Sequence, residues 1–586
     1  MPVLKKVSLY YSCLLLIVSP LKLTIGASSR EVANFPLSTW EFLFSAWPNS
    51  MYPVLMGLSL LLALIAYNPN VTELVKRHFL ILCPLSLAAL ISGFSLAYSS
   101  ELEIGLSFVW HLLGCLAFSL TIIIHLQYET FSKRGFVTSL SLGCAFLLFY
   151  CIYQLHWGFD EFRNYIKIQE EIYKVEIPAN LKHRIMQNRI YGFFTIPNSL
   201  GAYLILLIPL VLALCWEYGK KIEPPRASSI TLTILAALPL FYCLYHTKSR
   251  GAFVGLVLGI IITAVLFCIS ERKKLKKQFK FIIPAFLALI IVSVIGFKLI
   301  SDGRNMGSLE ARFVYWDAAW QMFTDEPLTG VGMGDYFPLH MKLKPEGAEE
   351  ARLAHSVFFH FISQCGILGG LAAILIIMLP VLFVINKIKQ RYTIDSPIIF
   401  WASICGCSSW VVQGMMDFSI QISACLMLFF VLPLLAIKPL ELPEKKRDTK
   451  GLILAAVLVL LTLTSIWRWP GDYYYQVLDN ELSSGKIPKT DLMNKSLDTL
   501  PFAPYPAIRT ARAAIKQQQF DYAIELLQIA EKRAPLQGSI KYHLARAHLA
   551  KMDYTSARES VKKAIECYPG KTKYSDLLKV IDDAEK

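Results

Sequence analysis

Residues 252–270 read Ala252-Phe253-Val254-Gly255-Leu256-Val257-Leu258-Gly259-Ile260-Ile261-Ile262-Thr263-Ala264-Val265-Leu266-Phe267-Cys268-Ile269-Ser270, without one charged position. Lys248 and Arg250 precede the run, and Glu271-Arg272-Lys273-Lys274 follow it. A helix rises 1.5 Å per residue, so about 20 apolar residues cross the hydrocarbon core of a bilayer. The stretch therefore reads as a membrane-spanning helix with charged flanks.

The same pattern recurs in both directions. Thirteen apolar runs precede residue 470, at roughly 7–25, 48–67, 79–98, 104–127, 136–157, 193–218, 229–247, 252–270, 281–300, 357–385, 398–418, 419–437 and 452–469. Pro209 and Pro380 fall inside two of them, which membrane helices tolerate. A tight turn at Asp417 divides the eleventh from the twelfth. Of the 586 residues, 55% are hydrophobic and 17% charged, whereas a soluble domain carries about a quarter charged residues. These values exclude a disordered chain and a nucleic-acid-binding domain of the usual kind. They imply an all-α polytopic bundle of about 13 spans. Twelve of the 13 cysteines lie in apolar runs and no CxxC pair occurs. Such cysteines act as small hydrophobes, and neither a disulfide framework nor a metal site is expected.

Basic residues in the short loops set orientation. Alternate loops carry Lys76/Arg77, Lys133/Arg134, Lys220/Lys221/Arg226, a cluster over 272–280, Lys387/Lys389/Arg391 and a cluster over 445–450. The loop 26–47 has Arg30 alone and 99–103 has none. The net charge of +15 thus has a place in cytoplasmic loops. This pattern puts the amino terminus in the cytoplasm, with 158–192, 301–356 and everything after 469 outside. The first run follows Lys5 and Lys6 and precedes Gly26-Ala27-Ser28, a layout that a signal peptide shares. Its cleavage would leave the later topology unchanged.

From 470 the chain is polar and helical in period. Gln519-Phe520-Asp521-Tyr522-Ala523 and Asp553-Tyr554-Thr555-Ser556-Ala557 align at a shift of 34 residues. The shift also maps Pro535 onto Pro569 and Ala511-Arg512-Ala513 onto Ala545-Arg546-Ala547. This period resembles tetratricopeptide repeats, with 468–501 a degenerate first unit. We expect a small α-solenoid that packs or docks a protein partner, separate from the chemistry.

Charge near a bilayer is costly and marks candidate function. Lys248-Ser249-Arg250-Gly251-Ala252 lies at the outer end of two spans, where snorkelling is the bland alternative. In the outer segment, Arg312, Tyr315, Trp316 and Ala319 share a helical face by spacing. Gly330, Gly332 and Gly334 follow without a βαβ context, so they read as a tight turn rather than a dinucleotide loop. His355 and His360 enter the tenth run. Five residues apart, they face different sides of a helix, and His360, deeper in the run, is expected to tolerate substitution. Arginine suits phosphate through paired hydrogen bonds. Histidine exchanges protons near neutral pH. Together they fit a lipid-linked phosphate or pyrophosphate substrate.

The order of these clusters resembles the O-antigen ligase and polymerase superfamily of bacterial membrane glycosyltransferases. The carrying residues are Arg189-Ile190-Tyr191-Gly192-Phe193-Phe194-Thr195 with Pro197-Asn198, then Ser249-Arg250-Gly251-Ala252, then Arg312 through Trp316. Pro327-Leu328-Thr329-Gly330-Val331-Gly332 follows, and then His355-Ser356 with Gly366-Ile367-Leu368-Gly369. Asp417-Phe418 is similar to the family's late membrane region. The likeness covers about 180–440, and 1–180 by hydropathy only. It implies a GT-C-like bundle in the bacterial inner membrane, divided into helices 1–180, a ligase-like core 181–469 with periplasmic loop 301–356, and periplasmic repeats 470–586. Such enzymes take a glycan from an undecaprenyl-pyrophosphate carrier and pass it to lipid A-core, another glycan or a protein hydroxyl. They use no nucleotide sugar, metal or other cofactor. Carried over, Arg250 and Arg312 bind pyrophosphate, Arg189 is a weaker third contact, and His355 is the base or orients the acceptor. The family histidine is often followed by Asn, and Ser356 stands here instead.

Two other classes compete. A flippase of lipid-linked glycans would also face arginine into a cavity, but transporters often carry internal repeats across their membrane halves, and none is visible here. A membrane-anchored scaffold would present the repeats to a partner, yet it needs far fewer spans than these.

Overall fold

Backbone polar groups find no partners in hydrocarbon, so a spanning chain satisfies them within helices. The computed structural model obeys that rule. It describes residues 2–27, 35–129, 131–172, 186–271, 307–439 and 448–585. Among the described residues the only β pairing is two isolated bridges, Gly26 with Ile422 and Ile394 with Ile437.

Nine described helices are long and apolar enough to cross a membrane, or ten if the bent pair Met51–Tyr67 and Val71–Arg77 counts as one span. The thirteen apolar runs therefore do not map one to one onto spans. The run 281–300 and the basic clusters 272–280 and 445–447 lie outside the described residues. The run 398–418 becomes the helix Pro397–Gly414. The run 419–437 breaks into Ser419–Gln421, Ser423–Val431 and Leu432–Ala436, and its residues are almost wholly buried. Broken backbone at membrane depth is allowed where protein surrounds it on all sides. The first helix, Pro2–Lys22, is packed into the bundle, with Ser12 bonded to Ser59 at 2.9 Å and Ser8 lying 3.1 Å from His125 Nε2.

Three helices position the chemistry. Pro197–Gly219 and Arg250–Ser270 start, and Pro397–Gly414 ends, at the same end of the bundle. Small residues let them approach, as in membrane bundles generally. A Cβ at Gly259 would lie 2.5 Å from the Ser409 backbone, and one at Gly406 would lie 2.3 Å from the Leu206 carbonyl oxygen.

Val357–Ile377 is interrupted at Gly366, where φ is 62°. The loop after the Gly307–Asp325 helix fills the break. Val331 N–H donates to Ser363 O at 3.0 Å, Gly332 N–H to Gln364 O at 3.2 Å and Ile367 N–H to Pro327 O at 2.9 Å. Gly330 has φ 67°, and a Cβ there would sit 2.3 Å from the Gln364 carbonyl carbon. The glycine-rich turn is therefore a plug in a broken helix.

The tail forms helix pairs as its period predicts. Phe520–Arg533 and Tyr554–Cys567 begin 34 residues apart, and Trp469–Ser483 with Thr490–Thr499 forms the first pair. Ala511, Ala523, Ala545 and Ala557 are fully buried at matching positions. The repeats do not stand apart from the bundle, however. Their last units share a core with Met341 of the Tyr336–Leu343 helix. Tyr568 donates to Glu350 at 3.1 Å and Lys571 also binds Glu350. The amphipathic second helices left no trace of this docking in the sequence, because any exposed polar face looks alike before its partner is known.

Candidate active site

Gln154 lies in a single π-helical turn, Gln154–Gly158, and its Oε1 accepts the N–H groups of Tyr191 (2.9 Å) and Gly192 (3.0 Å). That fixes the turn carrying Arg189. The Arg189 guanidinium donates to Thr247 O at 3.0 Å and to Asn198 Oδ1 at 3.2 Å. Thr247 leads into the Lys248-Ser249-Arg250 corner. Ser249 caps the next helix by accepting from Ala252 N, and Arg250 is its first residue, half-buried.

Gln413 links this corner to the histidine. Its Nε2 donates to Asn198 O at 3.1 Å and to Asp417 Oδ2 at 3.2 Å. A Cβ on Gly251 would lie 3.8 Å from Gln413 Cγ, so the first turn of the Arg250–Ser270 helix passes the same side chain. Asp417 Oδ1 accepts from Phe418 N at 2.8 Å and lies 3.8 Å from His355 Nδ1. Arg312 Nε donates to Met416 O at 2.7 Å, one residue before Asp417. The structure thus brings Arg312 and His355 to Met416 and Asp417, and joins Arg189 to Gln413 through Asn198, with Arg250 at the start of the helix beside them.

His355 has φ 49°, a left-handed conformation that few non-glycine residues adopt. Strain of this kind persists where surroundings over-determine it. Tyr315 lies against the ring at 5.3 Å and Phe418 edge-on at 5.0 Å. Tyr315 is held in turn by its hydrogen bond to Glu349 (2.9 Å) and by Tyr336, which donates to its carbonyl at 3.0 Å. Burial, with the charges of Arg312 and His340 adding, pushes the His355 imidazole down to about 4. It is therefore neutral at physiological pH, and Nδ1 facing Asp417 leaves Nε2 for a ligand. Gln413 Oε1, Ser356 Oγ, Ser419 Oγ and Trp316 Nε1 are buried near this cluster with no hydrogen-bond partner among the described residues. Unmatched polar atoms of this number suit a polar ligand.

The face of Arg312, Tyr315, Trp316 and Ala319 is real. Trp316 stacks on Phe359 at 5.6 Å, while Tyr315 and Ala319 are buried. His360 differs from expectation. It is buried between Gln364 Nε2 (2.8 Å) and Gln421 Nε2 (3.1 Å), with Phe108 edge-on. A neutral imidazole accepts at one ring nitrogen only, so His360 satisfies one of these amides, and removing its buried ring costs packing as well as that hydrogen bond. Sequence reasoning missed Gln413. Its signal was a lone amide in an apolar run, four residues before Asp417 and so on the same helical face. Among the described residues, no group of three or more His, Cys, Asp and Glu is placed to hold a metal ion.

A family model described as O-antigen ligase matches residues 234–374, and a tetratricopeptide-repeat model matches 508–572. The chain is an O-antigen ligase-like, multi-pass membrane protein with tetratricopeptide repeats at its carboxy end. The matched region contains Arg250, Arg312 and His355, and supports a membrane glycosyltransferase of the O-antigen ligase type. No curated protein matches the chain.

Proposed function

We propose that this protein transfers a glycan from an undecaprenyl-pyrophosphate carrier to an acceptor hydroxyl of lipid A-core, a growing glycan or a protein. One observation carries the reading: a neutral histidine and a guanidinium meet at a single turn, Met416-Asp417, at the mouth of the bundle. His355 Nε2 takes the acceptor proton, and Asp417 steadies the imidazolium that forms. The acceptor oxygen bonds to the anomeric carbon as the bond to pyrophosphate breaks. Arg312 and Arg250 stabilise the charge growing on the departing pyrophosphate, with Arg189 holding the corner. Helices 1–180 act as scaffold, 181–469 as the transfer core, and 470–586 as the repeat unit.

Arg250→Lys and Arg312→Lys both slow transfer, because a point ammonium does not reproduce a bidentate phosphate contact. The alanine variants are worse. Transfer and donor affinity are measured in membranes. Wild-type rates with normal affinity in both lysine variants would replace pyrophosphate binding with snorkelling.

The site faces the periplasm of the inner membrane in this reading. Basic residues of the short loops put 301–356 and 470–586 outside. Alkaline phosphatase fused after residue 586 is active. An inactive fusion, with a cytoplasmic reporter fluorescent at the same point, reverses the orientation.

A further inference from the structure

Charge is segregated within the repeats. The first helices, Tyr505–Lys516 and Gly538–Ala550, contain no acidic residue, whereas the second helices, Phe520–Arg533 and Tyr554–Cys567, carry Asp521, Glu525, Glu531, Glu559 and Glu566. Successive first helices therefore present a basic face. Arg512 and Arg546 are exposed there, and Lys573 is exposed at the start of the next helix, Thr572–Glu585, whose acidic residues Asp576, Asp582, Asp583 and Glu585 follow further along; none of the three cations is in an ion pair among the described residues. They converge on His543. Burial first, then the charges of Arg512, Arg546 and Lys573, push its imidazole down to about 4. His543 Nδ1 is buried with no hydrogen-bond partner among the described residues. Beside it, Tyr542 stacks on Tyr574 at 5.0 Å, with Lys573 Nζ 4.8 Å from the centre of the Tyr542 ring and Arg546 5.9 Å from it. At the Arg512 end the face opens into a cavity of about 320 Å³, lined in part by Arg509, Lys516 and Gln517.

Like charges gathered with one nearby carboxylate, Glu350, which Lys571 already binds, cost free energy and mark a site for an anion. The site lies next to the chemistry. Lys571, two residues from Lys573, binds Glu350. The adjoining Glu349 holds Tyr315 against His355. We infer that the basic face of the repeats binds a phosphate-bearing saccharide, the acceptor in the reaction proposed above, and hands its hydroxyl to the outer loop. The acceptor role rests on that proposal, but the binding site does not. Arginine forks recognise phosphate. Charge complementarity with the unpaired cations decides for a polyanion. Proximity to the transfer loop decides for a saccharide over an acidic peptide.

The test uses the full chain in nanodiscs of neutral lipid. The probe is a phosphorylated core oligosaccharide released from lipopolysaccharide, compared with its dephosphorylated form and with an acidic peptide of equal charge. The combined variant Arg512→Gln, Arg546→Gln, Lys573→Gln weakens binding of the phosphorylated probe by about 10-fold or more, since charged hydrogen bonds contribute most to such contacts. Added salt weakens wild-type binding. All three side chains are exposed, so the variant keeps the wild-type melting temperature, which is checked. No binding, equal binding by the variant, equal binding of the dephosphorylated probe, or preference for the peptide each overturns the inference. Transfer by the wild type is measured in parallel. Binding without any transfer sinks the proposed reaction and leaves the saccharide site standing.

Discussion

Replacing His355 with alanine lowers glycan transfer by roughly 10²–10⁴-fold, the range a positioned general base contributes, while lipid-linked donor still binds. A hydroxyl is a poor nucleophile until its proton leaves, and His355 is the neutral base nearest Asp417 and Arg312. Because φ at this position is 49°, alanine also strains the backbone. His355→Asn is the better probe, since asparagine adopts that conformation readily but has no base. Both variants should lose turnover, and only the alanine variant should also lose stability. The pH profile separates the base from a structural histidine. With the imidazole held near 4, the neutral form dominates from pH 5 upward. The rate is then flat across pH 5–9 as far as this group is concerned and falls only below that range. Arg312 helps hold the value down, so Arg312→Ala raises it and moves the acid limb toward neutrality. His360→Ala serves as contrast: it lowers the melting temperature by removing a buried ring and its hydrogen bond to Gln364 or Gln421, without a matching loss of turnover per folded molecule. Normal transfer by His355→Asn, or failure only because donor no longer binds, leaves direct displacement without a base as the mechanism.

What could be read from the sequence was whatever repeats or has a period. Nineteen uncharged residues at 252–270 announce a helix in lipid. The shift from Phe520 to Tyr554 announces stacked helix pairs. Spacing alone put Arg312 and Tyr315 on one face. What could not be read depends on partners distant in the chain. Nothing near Gln413 in sequence points to Asn198. Nothing in the apolar run 357–385 shows that Gly366 breaks the helix to admit the turn around Gly330. The low value at His355 arises from burial and from Arg312 and His340, a sum that exists only after folding. The family likeness marked Arg250, Arg312 and His355 as separate motifs. The amide of Gln413 and the carboxylate of Asp417 link the Asn198 corner to His355, a connection no motif shows.

Replacing Arg468 with alanine costs roughly 3–5 kcal/mol, the loss seen when a buried ion pair is broken from one side. Arg468 lies where the last apolar run meets the repeats. Its guanidinium reaches Glu103 at 2.5 Å, Asp472 at 3.1 Å, Ser107 at 2.8 Å and the Tyr505 hydroxyl at 3.2 Å. Asp472 also accepts from Ser50 at 2.6 Å. One cation therefore ties the Leu102–Tyr128 helix, the loop before Met51 and the first repeats together, and its side chain is only 15% exposed. Without it, Glu103 loses its direct ion pair in a site largely shut off from water. The exposed pairs along the repeats, such as Lys563 with Glu559, contribute little by comparison. Denaturant titration of the full chain in detergent, followed by tryptophan emission, reads the loss directly. Trp110 is bonded to Thr464 at 2.9 Å and lies 6.3 Å from Trp467, so the junction carries its own reporters. Adding Glu103→Gln and Asp472→Asn to Arg468→Met removes the carboxylates that had paired with Arg468 and recovers most of the stability. If Arg468→Ala unfolds at the wild-type midpoint, the repeats are held by the Met341 and Glu350 contacts alone. If the combined variant is no better than Arg468→Ala, shape rather than charge fixes the junction.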